Sequence, residues 1–374
     1  MIHTWMAKLW HEGHSTPILC VCASPGTTGL VASGSEGGDV VIWSQEGSVV
    51  GRLNLRGEDD CTSVAFSPLA SGLLYASHGD TVSTFDPRNL KGALEEFVGA
   101  GEEEINALAL NESGTTLALA DDSGAVRILE LPGGKVCRTL RRHTNICSSV
   151  AFRPHRPNNL LSAGLDMQVI LWGLQKTRPL WNLNLQDLAE EVGDKQQRPG
   201  QLFNPPLAHC VSVASCGNIV ACAAEDGRVH LMRVGGGSKL ERQGAFKAHC
   251  QGASQAHFIQ FLSHPYWLAT GGNDGQVDLW DVSKHDVVAP EEKVKVKGAA
   301  ASYRKGKRKA KRNADEVHEK DVADAEVMPD SGPKVNINHG DKVNWLCPAL
   351  LKGTASLIVA DQSSSLTVYP LSEL

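Results

Sequence analysis

His11-Glu12-Gly13-His14 gathers two imidazoles and a carboxylate, the raw materials of a zinc hydrolase. The helical His-Glu-x-x-His motif sets its histidines four apart, on one helical face, and this spacing is absent here. Gly235-Gly236-Gly237-Ser238-Lys239 suggests a phosphate loop, but no glycine directly precedes the lysine and no helical pattern follows. A turn between strands fits it better. Gly13-His14-Ser15-Thr16-Pro17 lacks the second glycine of a nucleophile elbow. Ten cysteines are scattered without a CxxC pair, so neither a zinc site nor a disulfide framework is indicated. Cys20 and Cys22 share one face of an alternating strand, and structural burial as reduced thiols is expected for all ten. No enzymatic activity, metal or cofactor is expected.

Behind these near-misses stands a repeat. Ala163-Gly164-Leu165-Asp166-Met167-Gln168-Val169-Ile170-Leu171-Trp172 and Thr270-Gly271-Gly272-Asn273-Asp274-Gly275-Gln276-Val277-Asp278-Leu279-Trp280-Asp281 share small residues, an acidic turn, an alternating apolar strand and a closing tryptophan. Aligned on the residue that ends this strand, seven copies end at Trp43, Phe85, Leu129, Trp172, Met232, Trp280 and Tyr369. The first four are about 43 residues apart and the next gaps are about 60, 48 and 89. Two insertions account for the excess: a polar one at about 186–206, and a charged one at 285–333 that should be disordered. Each unit reads as four short strands with period-2 alternation between turns. A lone sheet cannot bury both its faces, so units of this length stack radially as propeller blades. The fold expected is all-β, a seven-bladed β-propeller, with blades 1–6 over 1–284 and the end of blade 6 plus blade 7 over 334–374. Pro333–Asn338 reads as the outer strand of blade 6.

Composition places limits on partners. The chain of 374 residues is 41% hydrophobic and 21% charged, with net charge −6. That mild acidity argues against wholesale nucleic-acid wrapping. No stretch approaches the roughly 18 apolar residues of a membrane span, and the start of the chain lacks the apolar core of a signal peptide. A cytoplasmic or nuclear protein is expected.

Gly13-His14, Arg142-His143 and Ala248-His249 open units, and Leu279-Trp280-Asp281 closes one. On these motifs the chain resembles the WD-repeat family. The resemblance implies buried hydrogen-bonded sets of His143, Ser162, Asp166 and Trp172, and of His249, Thr270, Asp274 and Trp280. It makes these residues structural rather than a catalytic triad. It also implies that the N-terminal strand, 4–10, supplies the outer strand of blade 7 and closes the ring.

Functional expectations fall where the repeat departs from its pattern. Phe85-Asp86-Pro87-Arg88 resembles the aromatic-Asp-x-Arg box of WD-repeat substrate receptors of cullin-RING ubiquitin ligases, with Phe in place of Trp. The resemblance implies that Phe85, Asp86 and Arg88 meet the ligase's propeller-type adaptor; the bland alternative is an Asp-Pro turn. Blades 2 and 3 begin with acids, Glu58-Asp59-Asp60 and Glu102-Glu103-Glu104, and Asp341 holds a similar place in blade 7. With Asn106, Asn145 and Asn344 these form a candidate partner-binding face for a basic peptide, set against ordinary solvated loops. Arg304, Lys305, Lys307, Arg308, Lys309, Lys311 and Arg312 read as a nuclear-import signal or a nucleic-acid contact, set against a solvated loop. The whole then reads as a non-enzymatic interaction platform. It would be a ligase substrate receptor or, alternatively, a scaffold subunit of a nuclear multiprotein complex.

Overall fold

The computed structural model describes residues 6–25, 29–55, 59–69, 72–176, 178–187, 204–286 and 332–371. They form seven four-stranded antiparallel sheets that follow one another along the chain. The molecule is a seven-bladed β-propeller. The innermost strands of blades 1 to 7 are Ile18–Ala23, Cys61–Phe66, Ile105–Leu110, Cys147–Phe152, Ala208–Val213, Ala253–Phe258 and Val343–Leu351.

Burial explains why the strands differ in composition. The second and third strands of a blade are covered on both faces by neighbouring blades, and they read as continuous apolar runs. In blade 1 every residue of Val31–Ser35 is buried, whereas the outer strand Val49–Asn54 alternates half-buried and exposed. The core is therefore divided. Seven apolar clusters each lie between two adjacent blades, for example Leu161, Leu171, Val211, Val220 and Met232 between blades 4 and 5.

Ring closure follows the expectation with a shorter strand. Lys8–Trp10 pairs antiparallel with Leu366–Pro370, so it is the outer strand of blade 7. Pairing begins at Lys8 rather than residue 4: Met6 is unpaired and 81% exposed, and residues 4 and 5 lie outside the described residues. Val335–Asn338 pairs with Gln276–Asp281 as the outer strand of blade 6.

Each blade also carries the same irregularity. The pairing register of the innermost strand skips its second residue, which is Leu19, Thr62, Asn106, Ser148, His209, Ser254 or Asn344. A bulge of this kind re-aims the extra side chain out of the pleat. Here it points to the next blade. Ser148 Oγ donates to the Ala208 carbonyl at 2.6 Å, Ser254 Oγ to Val343 at 2.7 Å, and Asn344 Nδ2 to Ile18 at 3.0 Å. Thr62 bonds the Ile105 carbonyl and Asn106 Nδ2 donates to Cys147 at 3.3 Å. Five of seven blades are latched in this way to the first residue of their neighbour's innermost strand.

Candidate functional site

The loops sort onto two ends of the propeller. Connections from a fourth strand to the next blade's first strand, and second-to-third turns, share the upper end. First-to-second and third-to-fourth connections share the lower end. The buried polar sets sit just below the upper end. In blade 4, His143 Nδ1 meets Asp166 Oδ1 at 2.8 Å, His143 Nε2 meets Ser162 Oγ at 2.8 Å, and Trp172 Nε1 donates to Ser162 Oγ at 2.8 Å. In blade 6, His249 meets Asp274 and Thr270, and Trp280 Nε1 donates to Thr270, each at 3.0 Å. In both, the second carboxylate oxygen accepts the backbone N–H after the histidine: Thr144 at 3.0 Å and Cys250 at 2.8 Å. Ser162 and Thr270 are fully buried, and each hydroxyl is already occupied by an indole N–H. That is a structural clamp, without a free nucleophile.

Other blades keep part of the set or replace its members. Blade 1 keeps three members: His14 Nε2 meets Ser33 Oγ at 2.6 Å, and Trp43 Nε1 donates to Ser33 at 2.8 Å. In blade 7, His339 pairs with Asp361 at 2.8 Å and with the Tyr369 hydroxyl at 2.9 Å. In blade 3, Arg127 Nη1 donates to the carbonyls of Gly99 and Ala100 at 2.8 and 3.0 Å and tethers the loop before the first strand.

The nominated acids fall into two groups. Glu102 is taken up by Arg127, at 2.7 Å, and Arg141, whose hydrogen bonds hold its carboxyl down at about 2. It is not open to a partner. Asp59, Asp60 and Glu104 do converge, together with Asp122, which repeat spacing had not singled out. The Glu104 carboxyl is pushed up by burial and then by Asp122, Asp60 and Asp59. Asp60 also accepts the Gly37 N–H at 2.8 Å. Glu103, Asn145 and Asp341 are exposed at the same end. Asn106 and Asn344 are latch residues whose amides are spent on Cys147, Asp122, Ile18 and Asp361. Glu58 and the basic residues Arg304, Lys305, Lys307, Arg308, Lys309, Lys311 and Arg312 lie outside the described residues.

The Phe85–Arg88 box lies at the lower end of blade 2. Phe85 is 1% exposed and packs between blades 1 and 2, so it anchors the box rather than facing a partner. Asp86 grips Arg88 with both oxygens, at 2.8 Å to Nε and 3.0 Å to Nη2, and accepts the Arg88 backbone N–H at 3.0 Å. This pairing lowers the Asp86 carboxyl below its ordinary range. The Arg88 side chain remains 65% exposed.

Two further arrangements qualify the chemistry expected of the chain. Burial as expected of all ten cysteines fails for Cys137 and Cys250, which are exposed. Cys137 lies on blade 3's outer strand, its thiol donating to the Ile128 carbonyl at 3.2 Å, and Cys250 follows the buried His249. Along the axis, a cavity of about 460 Å³ is lined in part by Cys210, Gln255, His257 and Trp345. Cys210 Sγ lies 3.7 Å from His257 Nε2. Burial pushes the thiol up to about 11 and the imidazole down to about 4, the reverse of an activated thiolate pair. Among the described residues, no group of three or more metal-ligating side chains converges, and no helix is long and apolar enough to cross a membrane.

Fold and polar sets together define a propeller built from WD repeats. Residues 7–44, 134–173 and 240–281 match the family model "WD domain, G-beta repeat". Each stretch ends at the third strand of one of the three blades that retain the histidine, hydroxyl and tryptophan. Three of the seven blades thus carry WD repeats, and WD-repeat propellers are protein-interaction platforms. It is similar to the WD repeat-containing protein 53 homolog of Dictyostelium discoideum, with 25% identity over 96% of this chain and 93% of that protein. Shorter matches include THO complex subunit 3 of Arabidopsis thaliana, 25% identical over 46% of this chain and 53% of that protein. Another is periodic tryptophan protein 2 homolog of Dictyostelium discoideum, 26% identical over 48% of this chain and 20% of that protein.

Proposed function

We propose that this propeller is a substrate receptor of a cullin-RING ubiquitin ligase, with no catalytic activity of its own. The observation that carries this reading is Arg88. It stands exposed at the lower end of blade 2, oriented by a two-oxygen grip from Asp86 and anchored by buried Phe85. A guanidinium fixed in this way suits a flat adaptor surface, because little side-chain freedom remains to be lost on docking. The upper end then holds the substrate. Asp59, Asp60, Glu103, Glu104 and Asp122 favour a basic peptide, with Asn145 and Asp341 at the margin. The basic run 304–312 directs the protein to the nucleus. Affinity purification from cells should recover adaptor and cullin with the wild-type chain and lose both with Arg88→Ala. Recovery unchanged by the substitution would overturn the reading.

A second reading is a scaffold subunit of a nuclear multiprotein complex without a ligase link. Its support is the similarity to a relative named as a complex subunit. Equal recovery of a stable set of partners with wild type and Arg88→Ala, and no cullin in either, would favour it.

A further inference from the structure

Charge is unevenly spread along the chain. Between Lys135 and Asn184, from blade 3's outer strand to the end of blade 4's, stand eight lysines and arginines and a single acid, Asp166. The whole chain has more acids than bases, 42 to 36, so this stretch runs against its balance. Asp166 is taken up by His143 and Thr144. Three of the eight bases are occupied as well. Arg141 holds Glu102, buried Arg153 holds the Gly217 carbonyl and Asn218, and Lys135 lies opposite Glu130. Arg138, Arg142, Arg156, Lys176 and Arg178 remain, and among the described residues none of them forms an ion pair. Glu112, at the same lower end, accepts the His155 N–H at 3.2 Å.

Strand pairing brings the five cations to one seam. Residues paired across antiparallel strands share a face. Arg138 pairs with Ile128 and Leu140 with Val126, and those apolar residues pack against Trp172 and Leu174 of blade 4. Arg138 therefore sits on the side of blade 3 that faces blade 4. The Leu174 N–H donates to the Asn158 carbonyl at 2.8 Å and ties together the two lower connections of blade 4. One carries Arg156 and the other Lys176 and Arg178, all three exposed. Arg142 is exposed just beyond the strand's upper end. The cations form a stripe about 20 Å long, the length of the outer strand. We propose that this seam docks an acidic segment of a partner protein, a run of aspartate and glutamate side chains. Four of the five cations are arginines, whose planar fork matches a carboxylate with two hydrogen bonds. Nucleic acid suits the stripe less. Its upper end meets Glu103, Glu104 and Asp122 on blade 3, where the phosphates of a duplex would be repelled. Blade 4's exposed aromatic, Trp181, offers bases no platform at this seam: it pairs with Leu171 on the blade 5 side, under Lys239 at 5.6 Å. The assignment uses neither Arg88 nor a ligase link, so the two experiments fail separately.

The probe is a fluorescein-labelled deca-glutamate peptide, followed by anisotropy at about 50 mM sodium chloride, where surface charge is weakly screened. The full chain carries glutamine in place of the seven bases of 304–312, so that this run does not compete. It should bind the peptide saturably. Arg156→Glu with Arg178→Glu should weaken binding about tenfold or more. Arg52→Glu with Lys342→Glu makes the same change in net charge at exposed sites on blades 1 and 7, and should weaken it less than about twofold. Arg156→Gln with Arg178→Gln should fall between, which separates loss of contact from loss of fold. Decauridylate RNA at the same salt is the competing arm. Absence of saturable peptide binding, equal losses in the two charge-reversed variants, or tighter binding of the RNA than of the peptide overturns the proposal.

Discussion

Trp10 and Trp43 lie with ring centroids 5.9 Å apart, so the first strand of the chain and the first blade share one core with blade 7. Trp10 is 3% exposed although its strand has only three residues. Side-chain burial, more than strand pairing, therefore closes this ring.

Removing residues 1–10 should strip both the outer strand and the Trp10 plug. Blade 7 is then expected to become the first site of limited proteolysis, with a lower melting temperature. Trp10→Ala alone should reproduce most of the loss, about 3–5 kcal/mol by denaturant unfolding. A truncated chain as protease-resistant as the full one would show that the other blade interfaces suffice.

Thr270→Val keeps shape but removes the oxygen that both His249 Nε2 and Trp280 Nε1 use. Two buried groups lose their partner, and a cost of about 1–3 kcal/mol is expected. Ser162→Ala should behave likewise in blade 4. Because the two sites share no contact, the double variant should show the sum of the single effects in urea.

Acid should act through three imidazoles. Burial holds His14, His230 and His257 down at about 4. Between pH 6.5 and 4 the unfolded chain takes up protons there that the folded chain does not, so stability is present above that window and falls through it. Asp278 has the opposite sign. Burial raises its carboxyl to about 6, so its burial costs stability above pH 6 and not below about 4. Asp278→Asn should stabilise the protein at pH 7.5 by on the order of 1–3 kcal/mol and leave it nearly unchanged at pH 4. Urea midpoints at the two pH values decide this.

The acidic rim should respond to charge. Reversing Asp59 and Glu104 to lysine is expected to abolish capture of a basic peptide library while the melting temperature changes little. Reversing Glu102 should instead unfold the loop tied by Arg127 and Arg141, and circular dichroism or proteolysis would register it.

The blade count and the two complete polar sets were legible because each rests on residue types at fixed spacing. What escaped depends on backbone irregularity or on distant partners. Asn106 and Asn344 look like surface amides until the bulge turns them toward the neighbouring blade. Glu102 looks like a free acid until Arg127 and Arg141 reach it from other strands. Phe85 belongs to the box by sequence but to the core by burial. The three-member set of blade 1 was hidden because Gly37 stands where the pattern expects an acid.

The third strand of a blade, such as Gln168–Gly173, is six residues long, which sets the two ends of the propeller about 20 Å apart. The Arg88 loop and the acidic rim therefore face opposite half-spaces. Proteins bound at both ends would be held by a rigid spacer, out of direct reach of one another. Any chemistry passing between them has to travel around the outside of the disc.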